Sequence, residues 1–217
     1  NYGNEVWPQK SGDHELAIYQ ALIEARIPFE MVNDRLLDTE HLKSFKLLIL
    51  PNIPALSDKQ CNQLLEFARN GGSLLATFET SLYDEDGNRR DDFGLADLFG
   101  VSYAQSVEGP MQNSYLRLKS NPGHNKFHPV LKDLEDAFRM INTIYMVKVK
   151  PEIQFPDPVT LIPTYPDLPM EHVYPREPET NIRGLYLNDT GTSRIAYFPG
   201  DIDRTFWQVM SSDHLKL

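Results

Sequence analysis

The order of apolar runs and polar breaks in this chain is clearest between Lys46 and Phe93. Leu47-Leu48-Ile49-Leu50 is a continuous apolar run closed by Pro51. A short run ended by a breaker predicts a strand buried on both faces, as in a parallel sheet. Ser57 with Gln60 three residues on predicts a capped helix start, because each side chain can satisfy the other's free backbone donor. Leu64, Leu65, Phe67 and Ala68 give that helix one apolar face, and Gly71-Gly72 ends it. Residues 74–78 are again apolar and predict a second buried strand. Strand, capped helix, glycine stop and strand make a βαβ unit with a right-handed crossover. Sites in such sheets lie beyond the carboxyl ends of the strands, here residues 51–56 and 79–92.

Upstream, residues 1–10 are polar and turn-like. Asp13 is a fair helix cap, and Leu16, Tyr19, Leu22 and Ile23 follow at helical spacing to about Arg26. Residues 27–32 read as a short strand and 34–44 as a connection. Helix, strand, helix, strand predicts a doubly wound parallel sheet whose first strand precedes residue 1. With no initiating methionine, the chain reads as a fragment of a longer multidomain protein.

Downstream the pattern changes. Residues 93–99 suggest a short helix ended by Gly100. Residues 101–107, 114–119, 141–149 and 160–163 suggest strands, 121–123 a tight turn and 129–138 a short helix. Residues 151–178 are dense in proline, which favours loops and edge strands. Residues 184–187 and 194–198 flank a turn and predict a hairpin, after which Asp203 caps a last helix through Trp207 and Val209. The whole reads as one domain over 1–217, with residues 102–183 an irregular β-rich insertion.

Composition narrows the function. At 41% hydrophobic residues the chain can bury a core, and a formal net charge of -10 with no basic block argues against nucleic acid or an anionic membrane as partner. No apolar stretch approaches membrane-span length. Cys61 is the only cysteine, so no intrachain disulfide forms. The expectation is a soluble protein, with cytoplasm and export both left open.

Candidate chemistry is sparse. A nucleophile elbow needs small residues beside the nucleophile on a strand-to-helix turn, and 78–82 has no flanking glycines and no cysteine. Cys61 lies within a helix and reads as structural. The carboxylates Glu79, Asp84, Glu85, Asp86, Asp91 and Asp92 crowd one loop. A paired acid and base could hydrolyse a glycoside, but a solvated turn is the plainer reading for all but Glu79, which ends a buried strand. His124 and His128 have helical metal-ligand spacing, yet prolines and a glycine surround them. No catalytic, cofactor-binding or metal-binding residue is assigned. Asp201, Asp203 and Arg204 follow a strand end and could line a groove, with Asp203 as cap and Arg204 paired to Asp201 the structural alternative. Glu79, Tyr83, Asp84, Asp201, Asp203, Arg204 and Trp207 are thus the candidate groove or interface residues. Tyr83, Tyr197 and Trp207 are the candidate platforms for a bound sugar.

These residues resemble a known family. Leu-Leu-Ile-Leu-Pro-Asn-Ile-Pro-Ala-Leu-Ser-Asp and Phe-Ala-Arg-Asn-Gly-Gly-Ser-Leu-Leu-Ala-Thr-Phe-Glu-Thr-Ser-Leu-Tyr-Asp are similar to the trimerisation domain of family 42 β-galactosidases. Asp-Phe-Gly-Leu-Ala-Asp-Leu-Phe-Gly-Val continues the likeness to Val101. Arg-Ile-Ala-Tyr-Phe-Pro-Gly-Asp-Ile-Asp-Arg-Thr-Phe-Trp resembles the end of the equivalent domain in related bacterial glycoside hydrolases. The likeness covers about residues 13–101 and 184–210. It implies a flavodoxin-like, class I glutamine amidotransferase-like fold without amidotransferase chemistry. It also implies an upstream catalytic barrel domain as partner and assembly into a homo-oligomer. The family's catalytic carboxylates lie on that barrel, so none is carried onto this chain. A hydrolase or amidotransferase-like enzyme acting alone, and a carbohydrate-binding module, are the alternatives.

Overall fold

Ser57 sets the register of the central unit. Its hydroxyl accepts from the Gln60 amide, and the Gln60 side chain accepts from the Ser57 amide at 2.9 Å, completing the reciprocal cap. Helix α3 (Asp58–Arg69) then lays Cys61, Leu64, Phe67 and Ala68 on the core. It connects strand β1 (Leu47–Leu50) to β2 (Ser73–Thr77), which pair in parallel with Leu48 opposite Leu74. This computed structural model describes residues 12–120, 126–165 and 180–217, with positions 169, 172, 174 and 177.

The hairpin predicted late in the chain completes the sheet. Strand β9 (Arg194–Phe198) pairs in parallel with β2, and β8 (Tyr186–Asp189) pairs antiparallel with β9. The order is β1-β2-β9-β8, a mixed sheet in an α/β protein. Tyr197 sits at its centre, fully buried. Its ring stacks on Phe99 with centroids 4.4 Å apart and meets Phe93 edge to face, and its hydroxyl donates to the Phe78 carbonyl at 2.6 Å. Phe99 ends the short helix α4 (Ala96–Phe99), which stops at Gly100 with a left-handed φ of 67°.

The inserted region forms two further sheets. Strands β3 (Val101–Glu108) and β6 (Met146–Pro151) pair antiparallel. Strand β4 (Tyr115–Leu118) lies between β5 (Arg139–Ile141) and β7 (Val159–Ile162), antiparallel to both. Leu116, Leu118, Met140 and Val159 make a second core with Phe198 and Ile202, against which Leu75 and Ala196 also pack. Strand residues alternate sides, so this small sheet covers the face of β2 and β9 opposite the one that Leu74, Ala76 and Tyr197 present to the main core.

Four expectations need correction. Residues 27–32 form no strand. Asp13 is not the cap of helix α1 (Asp13–Glu24): Gly12 takes the cap position, and the helix buries only His14 and Ala17, while Leu16, Tyr19 and Ile23 are each 47% exposed. Residues 129–138 contain a single 3-10 turn (Pro129–Leu131), because Pro129 fixes the first turn but the segment then bends into β5. Residues 141–149 divide into β5 and β6, with Asn142 and Thr143 buried between them. The turn expected at residues 121–123 lies outside the described residues. A short helix α2 (Thr39–Leu42), capped by Asp38, leads into β1, and helices α5 (Ile202–Val209) and α6 (Ser212–Lys216) close the chain.

Candidate functional site

Polar side chains from four elements converge at the carboxyl ends of β1, β2 and β9. Thr77 ends β2, Asn52 follows β1 in a left-handed conformation with φ 46°, and His14 comes from the first turn of α1. The turn from β9 into α5 brings Asp201, Asp203 and Arg204. That turn is held by the insertion: the Val147 amide donates to the Pro199 carbonyl and the Asp201 amide to the Tyr145 carbonyl. Gly200 is required there, because a Cβ would lie 2.4 Å from the Thr143 side chain.

Asp203 is the hub. One carboxylate oxygen lies 2.8 Å from His14 Nδ1, and the other accepts from the Thr77 hydroxyl at 2.7 Å. The Thr77 oxygen in turn accepts from the Asn52 amide at 2.8 Å. Asn52 Oδ1 accepts from the Glu79 amide, which leaves its Nδ2 facing His14 Nε2 at 3.2 Å. This network fits an imidazole carrying its proton on Nδ1. Burial disfavours the charged imidazole, but the attraction and hydrogen bond of Asp203 outweigh it and hold the His14 pKa above its usual value.

Asp201 is a second, adjoining hub. One oxygen accepts from the Ile144 and Tyr145 amides at 2.9 Å, and the other pairs with Arg204 at 3.3 Å. The Arg204 guanidinium also lies over the Tyr145 ring, 5.4 Å from its centroid. Burial pushes the Asp201 carboxyl up to about 7, against the pull of the Tyr145 amide, Arg204 and His14.

The candidates read from sequence therefore divide. Asp201, Asp203, Arg204 and Glu79 do gather at this edge, but all four are buried. Asp203 is not the helix cap: α5 begins at Ile202, Asp201 occupies the cap position without a side-chain cap bond, and Asp203 is committed to His14 and Thr77. Asp84 closes its own loop, accepting from the amides of Asp86 and Asn88. Asp92 accepts from the Phe93 and Tyr103 amides. Tyr83 is half-buried and forms bridges to Ala55 and Arg89, and Trp207 is half-buried on α5. Tyr197 is fully buried and is no platform for a sugar. Cys61 is buried and burial pushes its thiol up to about 11. Among the described residues no three His, Cys, Asp or Glu side chains converge to hold a metal; His124 lies outside them. No helix among them is long and apolar enough to cross a membrane.

Sequence reasoning missed His14, Asn52 and Thr77. His14 and Asp203 are 189 positions apart, and no local pattern joins them. The available signal was topological: Asn52 and Thr77 sit just where two parallel strands end.

The comparisons with known proteins agree with this architecture. The model of the β-galactosidase trimerisation domain family matches residues 9–121, just over half of the chain. No curated protein sequence matches the chain. Among solved structures, the GH42 β-galactosidase Gan42B of G. stearothermophilus superposes with a TM-score of 0.64 at 16% identity, over 97% of this chain and 26% of that one. A β-galactosidase from Bacillus circulans sp. alkalophilus gives 0.67 at 14% identity, over 96% and 27%. An α-L-fucosidase isoenzyme from Paenibacillus thiaminolyticus gives 0.66 at 15%, over 96% and 28%. At such identities the likeness is one of fold, and the chain spans about a quarter of the length of the structures it matches. The chain belongs to the family of β-galactosidase trimerisation domains.

Proposed function

We propose that this chain is the accessory, non-catalytic assembly domain of a larger glycoside hydrolase. In this reading 1–217 form one amidotransferase-like, doubly wound domain, with residues 102–183 inserted. The domain associates with copies of itself and adjoins a catalytic barrel elsewhere in the polypeptide. The family match over residues 9–121 carries this reading. The chemistry supports it: His14, Thr77, Asp201, Asp203 and Arg204 are buried and bonded within the network, so they fasten elements together, and the one thiol is held protonated. The similar structures include both β-galactosidases and a fucosidase, which suits a domain that does not choose the sugar. Tyr83, Asp84 and Trp207, which keep exposed surface at the carboxyl edge, are our candidates for contact with a neighbouring domain or subunit.

Two measurements test this. Sedimentation of the parent protein with and without this domain should show the oligomer only when the domain is present; an unchanged oligomer overturns the assembly role. The isolated chain should release no nitrophenol from a broad panel of nitrophenyl glycosides. Turnover that disappears in Glu79→Gln would show instead that the chain is an enzyme.

A further inference from the structure

The small sheet of the inserted region carries a row of arginines on the face turned away from its core. Leu116, Leu118, Met140 and Val159 point into the second core. The alternating residues Tyr115, Arg117, Arg139 and Thr160 therefore lie on the other side. Arg117 of β4 stands directly opposite both Arg139 of β5 and Thr160 of β7, and Thr160 bridges in turn to Arg183. One cross-strand row thus holds three guanidinium groups, in a chain of net charge -10. Like charges directly opposite across a sheet destabilise it, so the fold itself does not explain the row. Two of the groups rest on rings: Arg139 lies 4.5 Å from the Tyr115 centroid, and Arg117 lies 4.7 Å from that of Phe138.

The row is only partly answered within the chain. Arg183 pairs with Asp157, but no carboxylate among the described residues pairs with Arg139, which is exposed. Phe138 beside it is 63% exposed, an uncovered ring at the edge of the row. A guanidinium held on a ring offers a pre-organised fork of donors that matches a carboxylate, sulfate or phosphate. The open part of this face is small. Thr160, Ile162 and Tyr165 on the β7 side are buried, which leaves β4 and β5, about 5 Å apart. That suits one or two sugar rings and falls far short of the roughly 20–30 residues a side of a stable protein interface. We propose that this face binds an acidic saccharide, a sugar bearing a carboxylate or an ester sulfate. Arg139, with Arg117 behind it, takes the anionic group, and the open face of Phe138 stacks on the sugar ring. The choice of a saccharide rests on the glycoside hydrolase reading above. Such a site anchors an acidic chain and does not select the sugar that is cleaved. None of its residues belongs to the carboxyl edge of the main sheet.

Calorimetric titration of the 217-residue chain tests this, with digalacturonate, a galactose sulfate, galactose, sodium acetate and sodium sulfate as probes. At least one acidic sugar should bind about tenfold or more tightly than galactose and than either free anion. Which of the two binds tells a carboxylate from a sulfate. Arg139→Gln and Phe138→Ala should each weaken that binding about tenfold and leave the melting temperature unchanged, since both side chains are exposed. Equal binding of galactose overturns the proposal, as does equal binding of the free anions, which would show attraction by charge alone. No binding of either acidic sugar overturns it too, as does an affinity that neither variant changes. Tighter binding of a hexaglutamate peptide would show instead that the face receives an acidic protein segment. Sedimentation of the parent protein carrying Arg139→Gln keeps this apart from the assembly reading. The oligomer should be unchanged; its loss would make the face a subunit interface and overturn the saccharide site. A failure to bind sugar with the oligomer intact leaves the assembly reading standing.

Discussion

The imidazole of His14 and the carboxylate of Asp203 meet at 2.8 Å across 189 positions of sequence, fastening the first described helix to the helix that follows the last strand. The contact has a pH signature. The His14 pKa is raised in the folded state, so its contribution is complete below the unfolded value and is lost as pH rises through the folded one. Asp201, pushed by burial up to about 7, acts in the same direction, favouring the folded state while protonated. Stability should therefore fall as pH climbs from about 4 to about 7 and on through the raised His14 pKa. Urea midpoints across that range check this, and the upper part of the slope should flatten in His14→Gln. A midpoint that rises through the range contradicts the assignment.

Asp203→Ala should cost about 2–6 kcal/mol, because it leaves two buried donors, His14 Nδ1–H and the Thr77 hydroxyl, without their acceptor at about 1–3 kcal/mol each. The sequence alone suggests about 1 kcal/mol for a lost cap. Urea unfolding separates the two values. Thr77→Val removes one donor to Asp203 and one acceptor for the Asn52 amide, and should cost about 1–3 kcal/mol.

Arg204→Ala should behave as a stability variant. The guanidinium is buried, pairs with Asp201 and covers the Tyr145 ring, so the melting temperature should drop clearly. Sedimentation of the folded variant should be unchanged. Normal melting with weakened assembly would return Arg204 to the interface that the sequence suggests.

Cys61→Ala should leave the parent protein's activity intact and cost on the order of 1 kcal/mol, the loss from a small buried side chain. The same burial should keep the native thiol nearly inert to alkylation at neutral pH. Rapid labelling of the folded chain would show that α3 opens readily.

The sequence is most legible where structure is decided locally. The Ser57–Gln60 cap, the apolar face of α3 and the runs of β1 and β2 depend on neighbours within a few positions, and all form as expected. The late hairpin is legible for the same reason. The fate of α1 is not, because its periodic pattern states that one face is apolar and not what covers it. Residues 27–32 have strand content but no partner among the described residues, and pairing decides a strand more than propensity does. At the site, Asp201 and Asp203 stand out as charges beside a strand end. That they are buried, and what buries them, depends on contacts with Tyr145, Thr77 and His14 distant in sequence.

The sealed ring of Tyr197 makes the chain its own optical reporter. With its hydroxyl given to the Phe78 carbonyl and no solvent around it, the phenol is held well above the ordinary range for ionisation. Tyr186 beside it is pushed up to about 12 by burial. In an alkaline titration the surface tyrosines of the native protein should turn to phenolate first. These two should follow only when the centre of the sheet comes apart, so a late ultraviolet absorbance step would time the loss of the core without any added dye.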